Sequence, residues 1–520
     1  MRTLIASLAL LAGSCASVQT PPAGTDADTV AWWSLTGSLS GDDMEGRDTG
    51  SAGYDRAARL VQGWFEKAGL KPAGENGGWR QTIPLQEVRV EKDGTSFEIL
   101  TNEHGFEEGG RYLSRGAITQ LAFLHQITVR PSVSLPATIS APLAFRGYCS
   151  SAEMLNVENK VVVCFGARRA GMTTAGQRLD AAAKARAVGI INVDDPGFTI
   201  EPSRWPEAYA RSISFRDAAP PAYPSMVVMR LSADALSAIV SDEQAVDILK
   251  AGAASQPLPS FDVPAVINAS FRLSRRELKS DNVLALLPGA DPKLKDEIVL
   301  VSAHLDGYGY GEPVNGDALY NGAFDDAAYV ATLVRLAESQ AGKGFRRSVL
   351  FAVYTGEEKG LLGSNWYSTH LTVPKEKLAA VINLDQLRPL FPLKIMTMHA
   401  IADTTLAMNV KRVAAGMGIE IRPDLEPERH LTQRPDHFPF LRMGVPATNF
   451  VFGFDPGTEA ERRYREWYQV RYHRPQDDMG QPLDWGAARD MNAFFYRLVA
   501  DVANDDVRPS FLPGSQWAPK

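Results

Sequence analysis

Between residues 54 and 68 (YDRAARLVQGWFEKA) the apolar positions Ala57, Leu60, Val61, Trp64, Phe65 and Ala68 recur at helical intervals, and Gly69 follows. That spacing predicts one amphipathic helix stopped by a glycine. From Trp79 to about Leu100 short alternating segments predict strands. Between about 128 and 260 prolines become frequent and strands short, but one unit stands out: Val161 to Phe165 reads as a buried strand, Arg178 to Val188 as a helix, and Gly189 to Val193 as a second strand. From about 280 the texture changes again. Val283 to Leu287, Glu297 to Ala303, Ser348 to Tyr354 and Ala379 to Leu384 are continuous apolar runs, and Asp326 to Glu338 is an apolar-faced helix. Such runs separated by helices predict an α/β fold with a mainly parallel mixed sheet flanked by helices. The expected division is a body built from 28–127 and 263–507, a smaller α/β domain inserted at 128–262, and a tail at 508–520.

Composition narrows the function. The 520 residues are 45% hydrophobic and 22% charged, which excludes a largely disordered chain. The 54 Lys and Arg against 61 Asp and Glu leave a net charge of −7, a poor footing for nucleic-acid binding. No internal run reaches the roughly 20 apolar residues of a membrane-spanning helix. At the N-terminus, Arg2 precedes the apolar run Leu4 to Gly13 and then Ser14-Cys15, the layout of a bacterial export signal over 1–15, with 16–27 as a tether. Ala12-Gly13-Ser14-Cys15 also looks like a lipoprotein cleavage box that would leave Cys15 lipid-modified; an ordinary secretory signal is the alternative. The expectation is an exported protein, periplasmic or anchored to a bacterial cell envelope. Of the other cysteines, Cys149 and Cys164 would be free to pair in an oxidising compartment. The apolar strand around Cys164 favours two buried, unpaired residues instead.

The candidate chemistry lies at strand ends, where function gathers in open α/β sheets. Glu297 to Ala303 is followed by His304-Leu305-Asp306, and the helix at 326 is preceded by Asp325-Asp326. Ser348 to Tyr354 is followed by Glu357-Glu358, Ala379 to Leu384 by Asp385, and much later comes Tyr472-His473-Arg474-Pro475. Each alone has an ordinary explanation as a cap or a solvated loop. Together they concentrate negative charge on one rim, and a pair of divalent cations is the natural means of neutralising it. Two imidazoles with several carboxylates suit zinc. In a two-metal site one carboxylate bridges the ions, and another outside the ligand set takes a proton from the attacking water. Only one of Glu357 and Glu358 need touch metal.

The ordered set His304-x-Asp306, Asp325-Asp326, Gly356-Glu357-Glu358-x-Gly360-Leu361-x-Gly363-Ser364, Asn383-x-Asp385 and Tyr472-His473-x-Pro475 resembles the M28 family of co-catalytic zinc exopeptidases over about 280–505. The segment Asp43 to Gly74 resembles that family's N-terminal portion. The resemblance implies two zinc ions per chain: His304 and Asp385 on one, Glu358 and His473 on the other, Asp325 bridging. It further implies Glu357 as general base and acid, Asp306 as the carboxylate orienting His304, and Tyr472 as a hydrogen-bond donor to the oxyanion. Arg434-Pro435-Asp436-His437 departs from the family's usual Ser at 435, and Asp436 and His437 are expected to shape the substrate pocket or brace a loop. Tyr329 stands where a glycine is usual and is expected to narrow the site. The run Gly147 to Val193 resembles a protease-associated (PA) domain. His104, His125, His370, His399 and His430 are read as surface or structural residues. The implied activity is removal of N-terminal residues from peptide substrates, with Asp326 or Glu357 as partner for the substrate amine. A carboxypeptidase would want an arginine cluster, for which Arg388 is the basic residue close behind a ligand strand. The alternatives from other classes are a glutaminyl cyclase-like acyltransferase and a non-catalytic binding module. Oligomeric state is not legible.

Overall fold

The computed structural model describes residues 18–101, 105–108, 111–114, 117–201 and 210–519. The export signal at 1–15 with Cys15, and His104, lie outside the described residues. Ile298–His304 and Ser348–Tyr354 run parallel in register, and Leu378–Asn383 and Ala447–Thr448 continue the parallel part. On the other side of Ser348–Tyr354 the sheet turns antiparallel through Leu273–Leu287, Arg80–Val90 and Arg211–Phe215. With Lys71–Pro72 against Leu273–Leu287, this makes an eight-stranded mixed sheet among the described residues.

Every residue of Ile298–His304, Ser348–Tyr354 and Leu378–Asn383 is buried. Successive side chains on a strand point to opposite faces. Val299, Val301, Ala303, Val349, Phe351 and Val353 therefore enter one core, while Leu300, Leu350, Ala352 and Tyr354 enter another. Both faces are covered, so the runs read as continuously apolar. Helices Ala27–Ser40, Ala52–Lys67, Ala328–Ser339 and Trp485–Asn504 pack on the first face. The shorter Leu362–Thr369 and Phe438–Arg442 pack on the second. Ser51 caps Ala52–Lys67 by accepting the Tyr54 N–H, and Phe65 sets its ring 5.5 Å from Phe351.

A second eight-stranded sheet among the described residues has its own core, in which Phe97, Ile99, Phe145, Val163, Ile191 and Ile267 are fully enclosed. Val161–Phe165, helix Ala175–Lys184 and Gly189–Val193 form the expected strand–helix–strand unit, the two strands parallel. The boundaries 128 and 262 do not divide the molecule, because Ser96–Thr101 and Ile118–Gln120 precede the first, and Ser260–Ser270 crosses the second, in this one sheet. The crossing points are nearer Glu91 and Arg272, where the Glu91 N–H donates to the Arg272 carbonyl. Nor is the insert self-contained: Arg211–Phe215 leaves it and pairs with Arg80–Val90 in the main sheet.

Two further expectations are corrected. Cys149 and Cys164 form a disulfide, with Cα atoms 5.5 Å apart. Thr138–Arg146 lies parallel to Val161–Phe165, and the turn after Arg146 brings Cys149 back beside Cys164, a proximity that linear spacing does not reveal. The described part of the tether is held: the Gln19 N–H donates to the Met479 carbonyl and the Trp33 indole N–H to the Gln19 carbonyl, both at 2.8 Å. The tail is likewise seated, with Phe511 bridging to Thr404.

The turn from Ser348–Tyr354 into Leu362–Thr369 explains its glycines. Gly356 takes φ +68°, a conformation that favours glycine. At Gly363 a Cβ would stand 2.4 Å from the Thr355 carbonyl oxygen and 2.5 Å from the Asn282 side-chain oxygen. Gly363→Ala is therefore expected to destabilise the chain by about 1–3 kcal/mol, the range of overpacking, read as a lowered urea midpoint in tryptophan fluorescence.

Candidate metal centre

The parallel register levels the strand ends. Ser302 lies opposite Ala352 on one side and Asn383 on the other, so His304, Glu357 and Asp385 leave the sheet at the same rim. The His304 N–H donates to the Asp326 carboxylate at 2.9 Å, and its Nδ1 lies 3.1 Å from the Asp306 carbonyl oxygen. With that oxygen as acceptor, Nδ1 carries the ring proton and Nε2 presents its lone pair. Asp325 comes from the irregular turn Ala323–Ala327 ahead of Ala328–Ser339. Asp477 secures this turn by accepting the N–H groups of Phe324 and Asp325 at 2.9 and 3.0 Å. His473 follows helix Glu459–Val470.

These elements converge on Asp325. Its Oδ1 is 3.4 Å from His304 Nε2 and its Oδ2 is 3.3 Å from His473 Nε2, so the two imidazoles face different oxygens of one carboxylate. Glu358 Oε2 is 3.2 Å from His473 Nε2, and Glu357 Oε2 is 3.9 Å from His304 Nε2. Donor atoms of His304, Asp325, Asp326 and Asp385 lie within 4.8 Å of one another, as do those of Asp325, Glu358 and His473.

The electrostatics are those of an anionic cluster. Burial pushes the carboxyls of Asp326, Glu357, Glu358 and Asp385 up, and neighbouring carboxylates add to the effect. Asp325 goes the other way: against its burial, the Arg388 guanidinium and contacts from His304 and His473 hold it well below the usual carboxylate range. His304 is raised despite burial, chiefly by Asp326 and Glu357. Among the described residues, His304 Nε2, Asp325 Oδ2, Asp326 Oδ1 and Glu358 Oε1 are buried with no hydrogen-bond partner. Orphaned imidazole nitrogen and carboxylate oxygens gathered in one buried cluster are the donor set of divalent transition-metal ions, so these residues fit such a group.

The remaining candidates fall around the cluster. The Asp306 carboxylate is 3.7 Å from His304 Nδ1, farther than its own carbonyl oxygen, and it accepts the Glu357 N–H at 3.0 Å and the Thr49 hydroxyl at 3.1 Å. Asp306 thus orients His304 through its main chain and the Glu357 turn through its side chain. The Tyr472 ring lies 3.7 Å from the His473 ring, and its hydroxyl accepts from Arg434 at 2.9 Å. Asp436 accepts the Ser364 hydroxyl and is pushed up by burial to about 7, while the His437 ring lies 6.0 Å from that of His399. Tyr329 is fully buried and its hydroxyl accepts from Arg388 at 3.2 Å.

Of four further contributors, three escape sequence reasoning, and Arg388 is marked there only as a basic residue behind a ligand strand. Tyr308 donates to Glu358 at 2.7 Å and lies 3.0 Å from His473 Nδ1. Arg388 sits fully buried beneath Asp325, at 3.4 Å. Arg47, also fully buried, donates to the carbonyls of Leu39, Leu305, Asn321 and Gly322. Asp477 is the fourth; its place four residues after His473 is the one available signal. Tyr308 and Arg47 carry no periodicity or spacing to single them out, and nothing in the chain pairs Arg388 with Asp325.

Comparison with known proteins agrees with this geometry. Residues 282–499 match the model of Peptidase family M28. Leupeptin-inactivating enzyme 1 of Streptomyces exfoliatus is 25% identical over 236 residues, 44% of this chain and 50% of that protein. The chain thus spans about half the length of the relatives it matches. Among solved structures, an aminopeptidase from Aneurinibacillus sp. strain AM-1 superposes with a TM-score of 0.60 at 16% identity, over 93% of this chain and 95% of that one. BSAP, a zinc aminopeptidase from Bacillus subtilis, gives 0.56 at 16% identity, over 92% and 96%. These likenesses show the shared fold, including the inserted module. The stretch that matches peptidase family M28, residues 282–499, is the one that carries His304, Asp325, Glu357, Glu358, Asp385 and His473.

Proposed function

We propose that the protein is a di-zinc aminopeptidase that removes N-terminal residues from peptides. The observation that carries this reading is Asp325, whose two oxygens face His304 and His473 separately, with Glu358 beside one imidazole and Glu357 beside the other. His304 and Asp385 would hold one zinc, Glu358 and His473 the other, and Asp325 both. Bound there, the ions supply Lewis-acid polarisation of the scissile carbonyl and make a water acidic enough to attack at neutral pH.

The chain's own groups handle the proton. Glu357 accepts it from the attacking water and passes it to the departing amine. Its carboxyl is pushed up by burial and, against the pull of His304, by the charges of Asp385 and Glu358, which suits a group that must both take and return a proton. The Asp306–Glu357 backbone bond fixes its position. The Tyr472 hydroxyl, which accepts from Arg434 and whose ring lies beside that of His473, is the proposed donor to the oxyanion.

The polarity of the substrate follows from charge. Arg388 faces Asp325 and donates to the Asp385 carbonyl, and Arg434 pairs with Glu201. Both guanidiniums already face carboxylates of the chain, whereas the crowded acidic rim suits an ammonium group. The relatives named as aminopeptidases support the same choice. The reading extends to an exported protein: the Leu4 to Gly13 run and Cys15 suit a secreted or lipid-anchored envelope protein, and the Cys149–Cys164 disulfide suits an oxidising compartment. The inserted module, PA-like in its strand–helix–strand unit, would border the entrance for peptides.

Zinc-loaded mature protein incubated with a mixed peptide library and followed by mass spectrometry is expected to shed N-terminal residues stepwise. C-terminal trimming would reverse the polarity, loss of ammonia from Gln-initiated peptides alone would mark a cyclase, and an unchanged library would reject a peptidase. Glu357→Gln should keep both zinc ions and lose roughly two to four orders of magnitude in kcat; near-parental turnover would remove Glu357 as the base. Asp325→Ala should lose metal at both positions, and two zinc ions per chain by elemental analysis would refute its bridging role.

A further inference from the structure

Tyr308 stands directly behind one half of the centre. Its hydroxyl donates to Glu358 Oε2 at 2.7 Å and lies 3.0 Å from His473 Nδ1. A phenol whose proton goes to the carboxylate can only accept at the imidazole, which places the His473 proton on Nδ1 and turns an unprotonated Nε2 toward Asp325 and Glu358. The ring is held on several sides. Lys359 Nζ lies 4.3 Å over its face, and the His473 ring is 4.6 Å away. Lys359 is itself 3.5 Å from Asp48 and donates to the Gly307 carbonyl. Arg211, on the strand that the insert returns to the main sheet, pairs with Asp48 and donates to the Tyr308 carbonyl at 3.2 Å. The other imidazole is backed differently: His304 Nδ1 meets the main-chain oxygen of Asp306. One half of the centre thus depends on a side-chain hydroxyl and the other does not.

Resting on the di-zinc reading, we infer that Tyr308 is a positioning residue for the Glu358–His473 position alone, fixing the imidazole tautomer and the carboxylate so that this position is formed before metal arrives. Groups that orient metal ligands from behind are worth about 10–100-fold in affinity. The test is a zinc titration of the metal-free full chain by chelator competition, comparing the parent with Tyr308→Phe, which keeps the ring. The parent should show two steps, and the variant should show one step weakened 10–100-fold and the other unchanged, with the metal-free unfolding midpoint preserved. A second variant, Asp385→Asn, should retain the Glu358–His473 step, and adding Tyr308→Phe to it should weaken that step by the same factor. Superimposable isotherms for parent and Tyr308→Phe, or equal weakening of both steps, would overturn the inference while leaving the di-zinc reading intact. A parent that binds fewer than two zinc ions would overturn that reading and this inference with it.

Discussion

Asp325, Asp326, Glu357, Glu358 and Asp385 are crowded onto one buried rim with His304 and His473 between them, and the surrounding structure answers that crowding of negative charge. Like charges at such distances in a desolvated site cannot all ionise without compensation. The chain supplies part of the compensation itself. Arg388, fully buried, faces Asp325, and its guanidinium lies 4.7 Å over the Trp467 ring. Arg47, brought down by burial to about 10, remains a cation at neutral pH and gathers four carbonyls from the segments flanking the ligands. The rest of the deficit is what divalent ions would fill.

The same constraint dictates how rigidly the ligands are carried. Asp325 sits on an irregular turn, not in a regular helix, and Asp477 holds that turn by its backbone N–H groups. Gln481 donates to the same carboxylate, and burial pushes Asp477 up to about 6. Asp306 serves two ligand segments at once, and the glycines at 356 and 363 let the Glu357–Glu358 turn pass close to Thr355 and Asn282. Positions of this kind tolerate little displacement, since metal ligation and proton transfer both depend on sub-ångström placement.

The inserted module is part of this arrangement. Glu201 lies buried against Arg429 and Arg434, with Arg168 at 3.3 Å, and these cations hold its carboxyl near 2 despite burial. Arg434 continues to the Tyr472 hydroxyl, and the Tyr472 ring packs, tilted, against that of His473. Arg211 reaches the loop of Tyr308 from the opposite side. Two separate strands of contact therefore run from the second module to the same candidate metal position.

How much of this was legible in the linear chain depends on the kind of signal. Continuous apolar runs gave away the buried strands because both faces of the sheet are covered, and helical periodicity marked Ala52–Lys67 because one face meets the core. Carboxylates and histidines at strand ends marked the site because parallel register brings such ends to one rim whatever the loops between them do. The limits of the insert, the Cys149–Cys164 bond and the seating of residues 18–25 were not legible, since each is a pairing between segments that chain spacing does not relate. Tyr308, Arg47 and the pairing of Arg388 with Asp325 belong with them. The sequence by itself determined the fold class and the ligand types, through periodicity and local chemistry; only the tertiary structure decided which tyrosine stands behind which ligand and which arginine neutralises which carboxylate, because those choices are made by distance in space.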